Sequence, residues 1–390
     1  MQVLHPALRS RPAKVVGMAV AATAGVTIAG SLAGATVFAR KVLTPDARRP
    51  DDTVILAVDD DRVTLVLTED TVVPGRYGLW LEEGAGHARV GDILGIDEGV
   101  GAVTRRLLGV DRGRIAPGPA RWNQYYYWSA PQASMGLPTL DVHVDTELGP
   151  MPAWRLEPEQ PTGTWAVLVH GRGARREECL RGLPTLLGLG MTCLVPSYRN
   201  DPGAARAPDG RYNLGLSEWR DIESAMLYAA QQGATSLVLC GWSMGGAIAL
   251  QTLNLSWLSD LVEAVVLDSP VVDWGDVLTY HARANHVPPL LRDFGRLVMG
   301  RKSLRRLAGV HEPVDVARTN WVARAHEIHH RVLILHSVDD EVVPAGPSIA
   351  LARARPDLVT LDRWDTARHC REWNLDTARW ERSVRDFLSA

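Results

Sequence analysis

A serine flanked by two glycines occupies residues 241–245, where the sequence reads Gly-Trp-Ser-Met-Gly. A short apolar run precedes this segment, and a pattern typical of a helix follows it. On such a tight strand-to-helix turn a Cβ atom on Gly241 or Gly245 would collide with the backbone, so the turn requires glycine at both positions. The turn exposes the Ser243 hydroxyl beside the free N–H groups of a helix N-terminus, which can stabilise an oxyanion. The sequence therefore predicts a nucleophile at Ser243.

A serine hydroxyl is a weak nucleophile at pH 7, so a histidine base and a carboxylate that orients it are expected later in the chain. His369 lies in a loop after the last predicted strand. Two adjacent carboxylates, Asp339 and Asp340, directly follow the fifth predicted strand, and Asp268 follows the fourth. The order serine, aspartate, histidine along the chain matches one known arrangement of such a triad. All three aspartates are candidates for the acid.

The elements that must hold these residues alternate between strand and helix from about residue 150 onward. This alternation is typical of a mostly parallel sheet covered by helices on both faces. The carboxyl ends of parallel strands share one edge of the sheet, where Ser243 and the candidate acids would then lie. The predicted strands cover residues 165–169, 191–196, 236–240, 264–267, 331–335 and 359–361.

Two further regions have patterns of their own. Residues 271–327 separate two predicted strands and contain helical patterns, which predicts a cap that sets the size of the acyl or leaving group. Residues 53–150 contain short β-branched runs broken by Gly and Pro, which indicate a small β-rich unit. Within it, residues 59–61 are three aspartates, interpreted as a solvated hairpin turn. The aromatic cluster at residues 122–128 either packs this unit against its neighbour or forms the wall of an apolar substrate pocket.

The N-terminal region has the pattern of a membrane-spanning helix. Residues 15–39 contain no charged residue, and a helix of that length crosses a hydrocarbon layer of roughly 30 Å. Basic residues in the tail, residues 1–14, and in the linker, residues 40–52, flank it on both sides, so its orientation is not determined. The length favours an uncleaved single-span anchor over a secretory signal, whose core has about 7–15 residues. A cleaved signal with secretion, and an amphiphilic or soluble helix, are the alternatives.

The composition excludes several classes of protein. With 42 Lys and Arg against 45 Asp and Glu, the 390 residues have a net charge of −3, which disfavours nucleic-acid binding. Hydrophobic residues at 46% and charged residues at 22% fit a globular protein rather than a multi-span membrane protein. The four cysteines show no CxxC spacing, so neither a disulfide scaffold nor a metal site is expected. No organic cofactor is implied, and the sequence leaves the oligomeric state undetermined.

Together these motifs resemble the α/β-hydrolase superfamily over residues 151–390, on the branch of prolyl-oligopeptidase-like serine hydrolases and esterases. In that family a strand-end His-Gly-x-x-Asp-x-x-Val-Pro segment carries the acid. Matching that segment to Val343 and Pro344 assigns the acid to Asp340, with Ser337 in place of the usual glycine. Asp339 stays open as the alternative acid, and if it is not the acid it would only cap the loop.

The same resemblance implies an oxyanion hole. Its donors would be the main-chain N–H groups of Arg172, in the segment His-Gly-Arg-Gly, and of Met244, directly after the nucleophile. The resemblance also implies that His170 braces this loop rather than acting as a base. Cys370, next to the predicted base, is interpreted as a passive neighbour.

These observations predict an α/β-hydrolase fold with a mostly parallel sheet, a helical cap and a small β-rich unit after a transmembrane helix. The expected activity is hydrolysis of an ester, thioester or small amide through an acyl-serine intermediate, with carboxylesterase chemistry favoured over peptidase chemistry. The expected partners are a small-molecule acyl substrate and, through the N-terminal helix, a membrane. One alternative is an oligopeptidase or aminoacyl peptidase, although those relatives carry a large propeller that residues 53–150 are too few to form. The other is a non-catalytic hydrolase-fold protein that binds a ligand at the membrane.

Overall fold

The computed structural model describes residue 40, residues 43–45 and residues 50–390. The predicted tail, residues 1–14, and the predicted anchor, residues 15–39, lie outside the described residues. In the part of the chain that is described, no helix is both long and apolar enough to cross a membrane. The described chain forms a closed six-stranded barrel, followed by an eight-stranded sheet covered by helices.

The barrel has the strand order β1-β2-β5-β4-β3-β6. Alternate side chains such as Val63 and Leu65 point inward and form a separate hydrophobic core. The aspartate run forms the turn of the β1–β2 hairpin, since Asp59 pairs with Arg62, and this confirms the hairpin prediction. The strands are β1 (Thr53–Asp59), β2 (Arg62–Val66), β3 (Tyr77–Leu81), β4 (Gly86–Asp97), β5 (Ala102–Arg112) and β6 (Gly118–Asn123).

The large sheet has the order β14-β13-β12-β11-β9-β10-β8-β7. Its neighbouring strands pair in parallel except on both sides of β8, which runs opposite to the other seven strands. The predicted boundary at residue 150 is wrong, because the β7–β8 hairpin pairs with β10 and belongs to this sheet. Alternating residues in β7 fit either sheet, so their pattern could not locate the boundary. The strands are β7 (Leu140–Thr146), β8 (Gly149–Leu156), β9 (Thr164–Val169), β10 (Thr192–Pro196), β11 (Ser236–Trp242), β12 (Val262–Asp268), β13 (Arg331–Ser337) and β14 (Val359–Trp364).

Helices cover both faces of the large sheet. Val167 points into one core, which includes Ile222 and Ile248, whereas Leu168 points into the opposite core, which includes Trp380. Three helices, α5 to α7, lie in the insertion between β12 and β13, as predicted for residues 271–327. The helices are α1 (Pro131–Met135), α2 (Leu183–Gly188), α3 (Trp219–Gln231), α4 (Met244–Leu255), α5 (Trp274–Ala284), α6 (Pro289–Gly300), α7 (Arg305–Ala308), α8 (Gly346–Ala354), α9 (Glu372–Leu375) and α10 (Thr377–Ser389).

The aromatic cluster at residues 122–128 serves mainly as packing. Trp122 lies in the barrel core, with its ring centroid 4.7 Å from that of Tyr77. The rings of Tyr126 and Tyr127 lie 5.8 and 6.0 Å from Trp373, which belongs to the large domain. For these three residues the structure favours the packing interpretation over a substrate wall.

Candidate active site

Ser243 lies at the junction of β11 and α4. Its backbone has φ 52° and ψ −116°, a strained conformation for a residue other than glycine. A Cβ atom on Gly245 would lie 2.0 Å from the carbonyl oxygen of Val169, and one on Gly241 would lie 2.6 Å from that of Gly245. Both positions therefore require glycine, as the sequence predicts.

His369 connects Ser243 to Asp340. Its Nε2 atom lies 3.0 Å from the Ser243 Oγ atom, and its Nδ1 atom lies 2.7 Å from Asp340 Oδ2. A carboxylate only accepts hydrogen bonds, so Nδ1 carries the proton and Nε2 is left to accept one from the serine hydroxyl. The structure thus brings the three predicted residues into one hydrogen-bonded chain.

Asp340 is buried and surrounded by donors. Its Oδ1 atom accepts hydrogen bonds from the N–H groups of Val342 and Val343, at 2.8 and 2.7 Å. His336 Nε2 lies 3.2 Å from Oδ2. Burial acts to raise the pKa of Asp340, but the charge of His369 and hydrogen bonds from both histidines outweigh it and hold that pKa below its usual range. Asp340 is therefore ionised at neutral pH.

The two alternative acids have other hydrogen-bond partners. Asp339 Oδ1 accepts from the Ser337 hydroxyl at 2.5 Å and from the Arg368 N–H at 2.9 Å, so it caps the loop. Asp268 Oδ2 accepts from Trp380 Nε1 at 2.8 Å. Because Asp340 is the carboxylate that contacts the His369 ring, the geometry favours Asp340 as the orienting acid.

The loop that carries His369 is strained on both sides of the ring. Arg368 has φ 64° and Cys370 has φ 51°, which is uncommon for residues with a side chain. Burial acts to lower the pKa of His369, but the Asp340 carboxylate outweighs it, so the pKa is raised above its ordinary value. Cys370 Sγ lies 3.6 Å from His369 Nε2. Because burial raises the pKa of this thiol well above its usual value, the thiol stays protonated and is a weak nucleophile.

His170 braces the loop that follows β9 and lies beside Ser243. Its Nε2 atom donates to Asp201 Oδ2 at 2.7 Å and its Nδ1 atom donates to the Gly171 carbonyl at 3.0 Å. Burial acts to lower the pKa of His170, but Asp201 outweighs it and raises the pKa. The ring also stacks on Tyr198, with centroids 4.3 Å apart. Both ring nitrogens are occupied, so His170 is not available as a base.

The loop itself lies against the serine. A Cβ atom on Gly171 would lie 3.0 Å from the Ser243 Cβ atom. Three acceptors hold the loop, and the sequence carried no motif that marks them: the Glu178 carboxylate accepts from Gly171 N–H at 2.7 Å, the Tyr212 hydroxyl from Gly173 N–H at 3.1 Å, and the Tyr125 hydroxyl from Arg175 N–H at 3.2 Å. The predicted donor Arg172 therefore lies between anchored residues. Met244 opens α4, where first-turn N–H groups have no acceptor within the helix.

The barrel contacts helix α9, which follows the loop that carries His369, a relationship the sequence did not indicate. Asn374 Nδ2 donates to the carbonyl oxygens of Arg76 and Gln124, at 2.7 and 2.9 Å. In return the Arg76 N–H donates to the Asn374 carbonyl at 2.9 Å. A Cβ atom on Gly75 would lie 2.1 Å from that carbonyl oxygen. The barrel and helix α9 are therefore in direct backbone contact.

The helical insertion contacts the site from another side. The Val271 N–H donates to the Ser243 carbonyl at 3.0 Å. His281, on α5, donates from Nε2 to the Val342 carbonyl at 2.8 Å. The insertion is thus attached both to the serine and to the loop that carries Asp340.

A cleft of about 780 Å³ opens between the barrel and the large domain. Gly173 and Ala174, from the loop beside the serine, form part of its wall. Its aromatic lining includes Trp80, Trp128 and Tyr212. Tyr125 and Trp128 are thus the members of the aromatic cluster that line this cleft.

Comparison with known families agrees with this geometry. The model of the alpha/beta hydrolase family matches residues 166–387, more than half of the chain. The chain belongs to the alpha/beta hydrolase family. Residues 54–123, which include most of the barrel, match a domain of unknown function, DUF8805.

Solved structures with this fold include several esterases. An esterase from Pyrococcus furiosus is 19% identical and aligns with a TM-score of 0.51, covering 67% of this chain and 93% of its own. A thermophilic esterase from Thermogutta terrifontis, solved with malate bound, is 17% identical, with a TM-score of 0.46 over 64% of this chain and 98% of its own. At this identity the first likeness supports the fold alone. None of the curated proteins matches the sequence.

Proposed function

We propose that this protein is a serine hydrolase that cleaves a carboxylic ester, thioester or small amide through an acyl-Ser243 intermediate. The observation that carries the proposal is the hydrogen-bonded chain from Asp340 through His369 to Ser243. The serine stands on a strained turn between strand and helix, which aims its hydroxyl out of the sheet. An intact chain of this kind favours catalysis over the alternative of a non-catalytic binding protein.

In the acylation step, Ser243 Oγ attacks the substrate carbonyl carbon while His369 Nε2 takes the hydroxyl proton. The resulting imidazolium is stabilised by the ionised Asp340. The oxyanion accepts hydrogen bonds from the main-chain N–H groups of Arg172 and Met244. As the tetrahedral intermediate collapses, His369 gives its proton to the leaving alkoxide, thiolate or amine, and the acyl group stays on the serine.

Deacylation repeats these steps with water. His369 takes a proton from the water molecule, whose oxygen attacks the acyl carbon. The second tetrahedral intermediate uses the same two N–H donors. Its collapse returns the proton to Ser243 Oγ and releases the carboxylic acid, which restores the resting site without a cofactor.

Labelling with a fluorophosphonate probe tests the proposal. The wild-type protein is expected to bind one probe at Ser243, identified by peptide mass spectrometry, and Ser243→Ala and His369→Ala are expected to lose labelling. Ser224→Ala, which removes a hydroxyl on α3, serves as the matched control and should label normally. Labelling that persists in Ser243→Ala, or a wild-type protein that is folded and unreactive, would contradict the proposal.

An ester is the favoured substrate, because an alkoxide leaves more readily than an amine. Each CH₂ group buried in an apolar pocket is worth about 0.8 kcal/mol, or roughly fourfold in affinity. Under a cap formed by the helical insertion, kcat/KM is expected to rise with acyl length over a few carbons and then to fall. A series of p-nitrophenyl esters beside a series of dipeptide amides measures this. Amides cleaved faster than every ester would support the peptidase alternative instead.

We also propose that residues 15–39 anchor the enzyme in a membrane as a single span, because this stretch contains no charged residue. Deletion of residues 1–39 is expected to release a folded, labelled enzyme, since the described chain begins its contacts at Arg40 and buries Leu43 completely. Fractionation of the full-length protein, combined with sequencing of its N-terminus, distinguishes the cases. A soluble protein with an intact N-terminus contradicts the anchor, and a shortened, exported protein indicates a cleaved signal.

A further inference from the structure

Two carboxyl side chains are buried together behind the loop of the catalytic histidine. Asp268 ends β12 and Glu372 begins α9, and their exposed fractions are 1% and 0%. Each has one oxygen with ordinary donors. Asp268 Oδ2 accepts from Trp380 Nε1 at 2.8 Å, and Glu372 Oε1 accepts from the Ser269 hydroxyl and the Ser337 N–H, both at 3.0 Å. We call these two residues the carboxyl pair.

The other two oxygens, Asp268 Oδ1 and Glu372 Oε2, are buried and have no separate donor among the described residues. The two carboxyl groups are close enough to interact, since the charge of Asp268 raises the pKa of Glu372. Two carboxylates cannot hydrogen-bond, because each can only accept. One proton between the two groups would let them hydrogen-bond and would satisfy both buried oxygens.

The surrounding charges favour one negative charge on the pair rather than two. Arg181, which is buried, attracts the charge of Asp268, whereas Glu178 repels it. Burial raises the pKa of both members, and the charge of Asp268 raises that of Glu372 further. The titratable groups that face the pair are Arg181 and Glu178 from the 3-10 helix Arg176–Gly182, Asp340 from the loop after β13, Cys370 from the histidine loop, and Tyr77 from the barrel.

We propose that Asp268 and Glu372 share one proton and that the resulting hydrogen-bonded pair, which keeps one negative charge, positions His369. Through Glu372 the pair holds the Ser269 hydroxyl, which in turn accepts the Cys370 N–H at 3.0 Å, one residue after His369. Glu372 also holds the N–H of Ser337. The pair thus connects the ends of β12 and β13 to the strained histidine loop. Asp268 and Glu372 are positioning residues, since neither contacts the reacting atoms.

This arrangement makes the loop sensitive to alkaline pH. In the unfolded chain both carboxyls ionise near their ordinary pKa values of 3.8 and 4.5. The folded protein therefore retains a proton that the unfolded chain has lost. The stability that depends on this proton is present at low pH and is lost as the pH rises through the raised pKa. Two negative charges would then repel each other beneath Cys370 and displace the base.

Glu372→Gln tests the inference, because its amide N–H replaces the shared proton with a donor that does not titrate. The amide oxygen keeps the bonds to Ser269 and Ser337. At neutral pH, infrared spectroscopy of the wild type is expected to show the carbonyl band of a buried protonated carboxyl, and Glu372→Gln is expected to lose it. The midpoint temperature of thermal unfolding should fall less steeply between pH 5 and 9 in Glu372→Gln than in the wild type.

The positioning of His369 by the carboxyl pair rests on the proposed function, and it is measured by the rate at which the fluorophosphonate probe labels Ser243. Glu372→Ala should label about tenfold more slowly, because the loop loses two hydrogen bonds, and Glu372→Gln should recover most of that rate. In the wild type the labelling rate is expected to fall at alkaline pH. In Glu372→Gln this fall should occur at a higher pH.

Glu218→Gln is the matched control. Glu218 is equally buried, but its carboxylate accepts from the N–H groups of Asn213 and Gly215 and has no carboxyl partner among the described residues. Its amide would face N–H donors, so this variant should lose stability at neutral pH and keep the infrared band.

An absent band in the wild type, or parallel pH profiles of unfolding in wild type and Glu372→Gln, would overturn the shared proton. If Glu372→Gln loses the infrared band but labels Ser243 with the same pH dependence as the wild type, the positioning role is overturned. If the wild type does not label at all, the proposed function fails, and the infrared and unfolding measurements still decide the shared proton.

Discussion

Asp70 of the barrel lies 2.6 Å from the guanidinium group of Arg371, two positions after His369. The same carboxylate lies 3.3 Å from Arg368, directly before His369. One barrel residue thus pairs with both arginines that flank the proposed base. Inside the barrel, the buried Arg105 donates to the carbonyl oxygens of Thr71, Val73 and Gly75, which fixes the segment that follows Asp70.

We therefore expect Asp70→Asn to reduce the labelling rate clearly and to lower the free energy of unfolding only slightly. The ion pairs are partly exposed, so their loss should cost less than about 1 kcal/mol in the free energy of unfolding. A histidine loop held less firmly should reduce the rate of fluorophosphonate labelling about three- to tenfold, because small displacements of a catalytic group reduce rates strongly. Labelling and thermal unfolding are measured side by side.

Asp61→Asn is the control for the barrel, since Asp61 pairs only with Arg62 and Arg106 on the barrel surface among its described ion pairs. It should leave the labelling rate unchanged. If Asp70→Asn and Asp61→Asn behave alike, the barrel does not position the base.

The acid can be assigned by comparing two neighbouring substitutions. Asp340→Asn should lower kcat by on the order of 10³- to 10⁴-fold, because the amide would no longer hold the His369 tautomer. Asp339→Asn should cost much less, since Asp339 bonds to the Ser337 hydroxyl and the Arg368 N–H rather than to the ring. Steady-state kinetics on one ester compares them. The reverse order would assign the acid to Asp339, and two small effects would indicate Asp268.

The raised pKa of His369 sets the acid limb of the pH profile. The base is active only when neutral, so kcat/KM should rise with pH through a midpoint above the ordinary value of 6.5 for histidine. In Asp340→Asn the stabilising charge is lost, and the remaining activity should have its midpoint at lower pH. The rate of labelling as a function of pH provides a second measurement. An acid limb at the same pH in both proteins would contradict the coupling of His369 to Asp340.

The sequence located the parts of the site that depend on local patterns. Ser243 is marked by two glycines whose steric necessity is a property of the turn itself. His369 and the acid follow from the order of strands, because the ends of parallel strands meet at one edge of the sheet. The choice of Asp340 over Asp339 required a family motif, since adjacent residues in a loop have no periodicity that distinguishes them.

The contacts that cross between domains were beyond prediction. Asp70 and Arg371 are far apart in the sequence, and neither belongs to a motif. Glu372 was unremarkable as one of many acidic residues, because only the folded structure shows that Asp268 is buried beside it. The β7–β8 hairpin was assigned to the wrong unit for a similar reason, since alternation identifies a strand and not the sheet that it joins.

Gly171→Ala should damage the oxyanion loop without changing any side chain of the triad. The added Cβ atom would lie 3.0 Å from the Ser243 Cβ atom and 3.2 Å from Glu178 Oε2, so the loop must move away from the serine. Because removal of one oxyanion donor costs about 10²- to 10³-fold in kcat, we expect a loss of that order in ester hydrolysis, with KM changed less. Gly188→Ala is the control, since its Cβ atom would meet nothing within 4 Å. A folded Gly171→Ala enzyme with wild-type kcat would show that this loop does not supply the oxyanion donor.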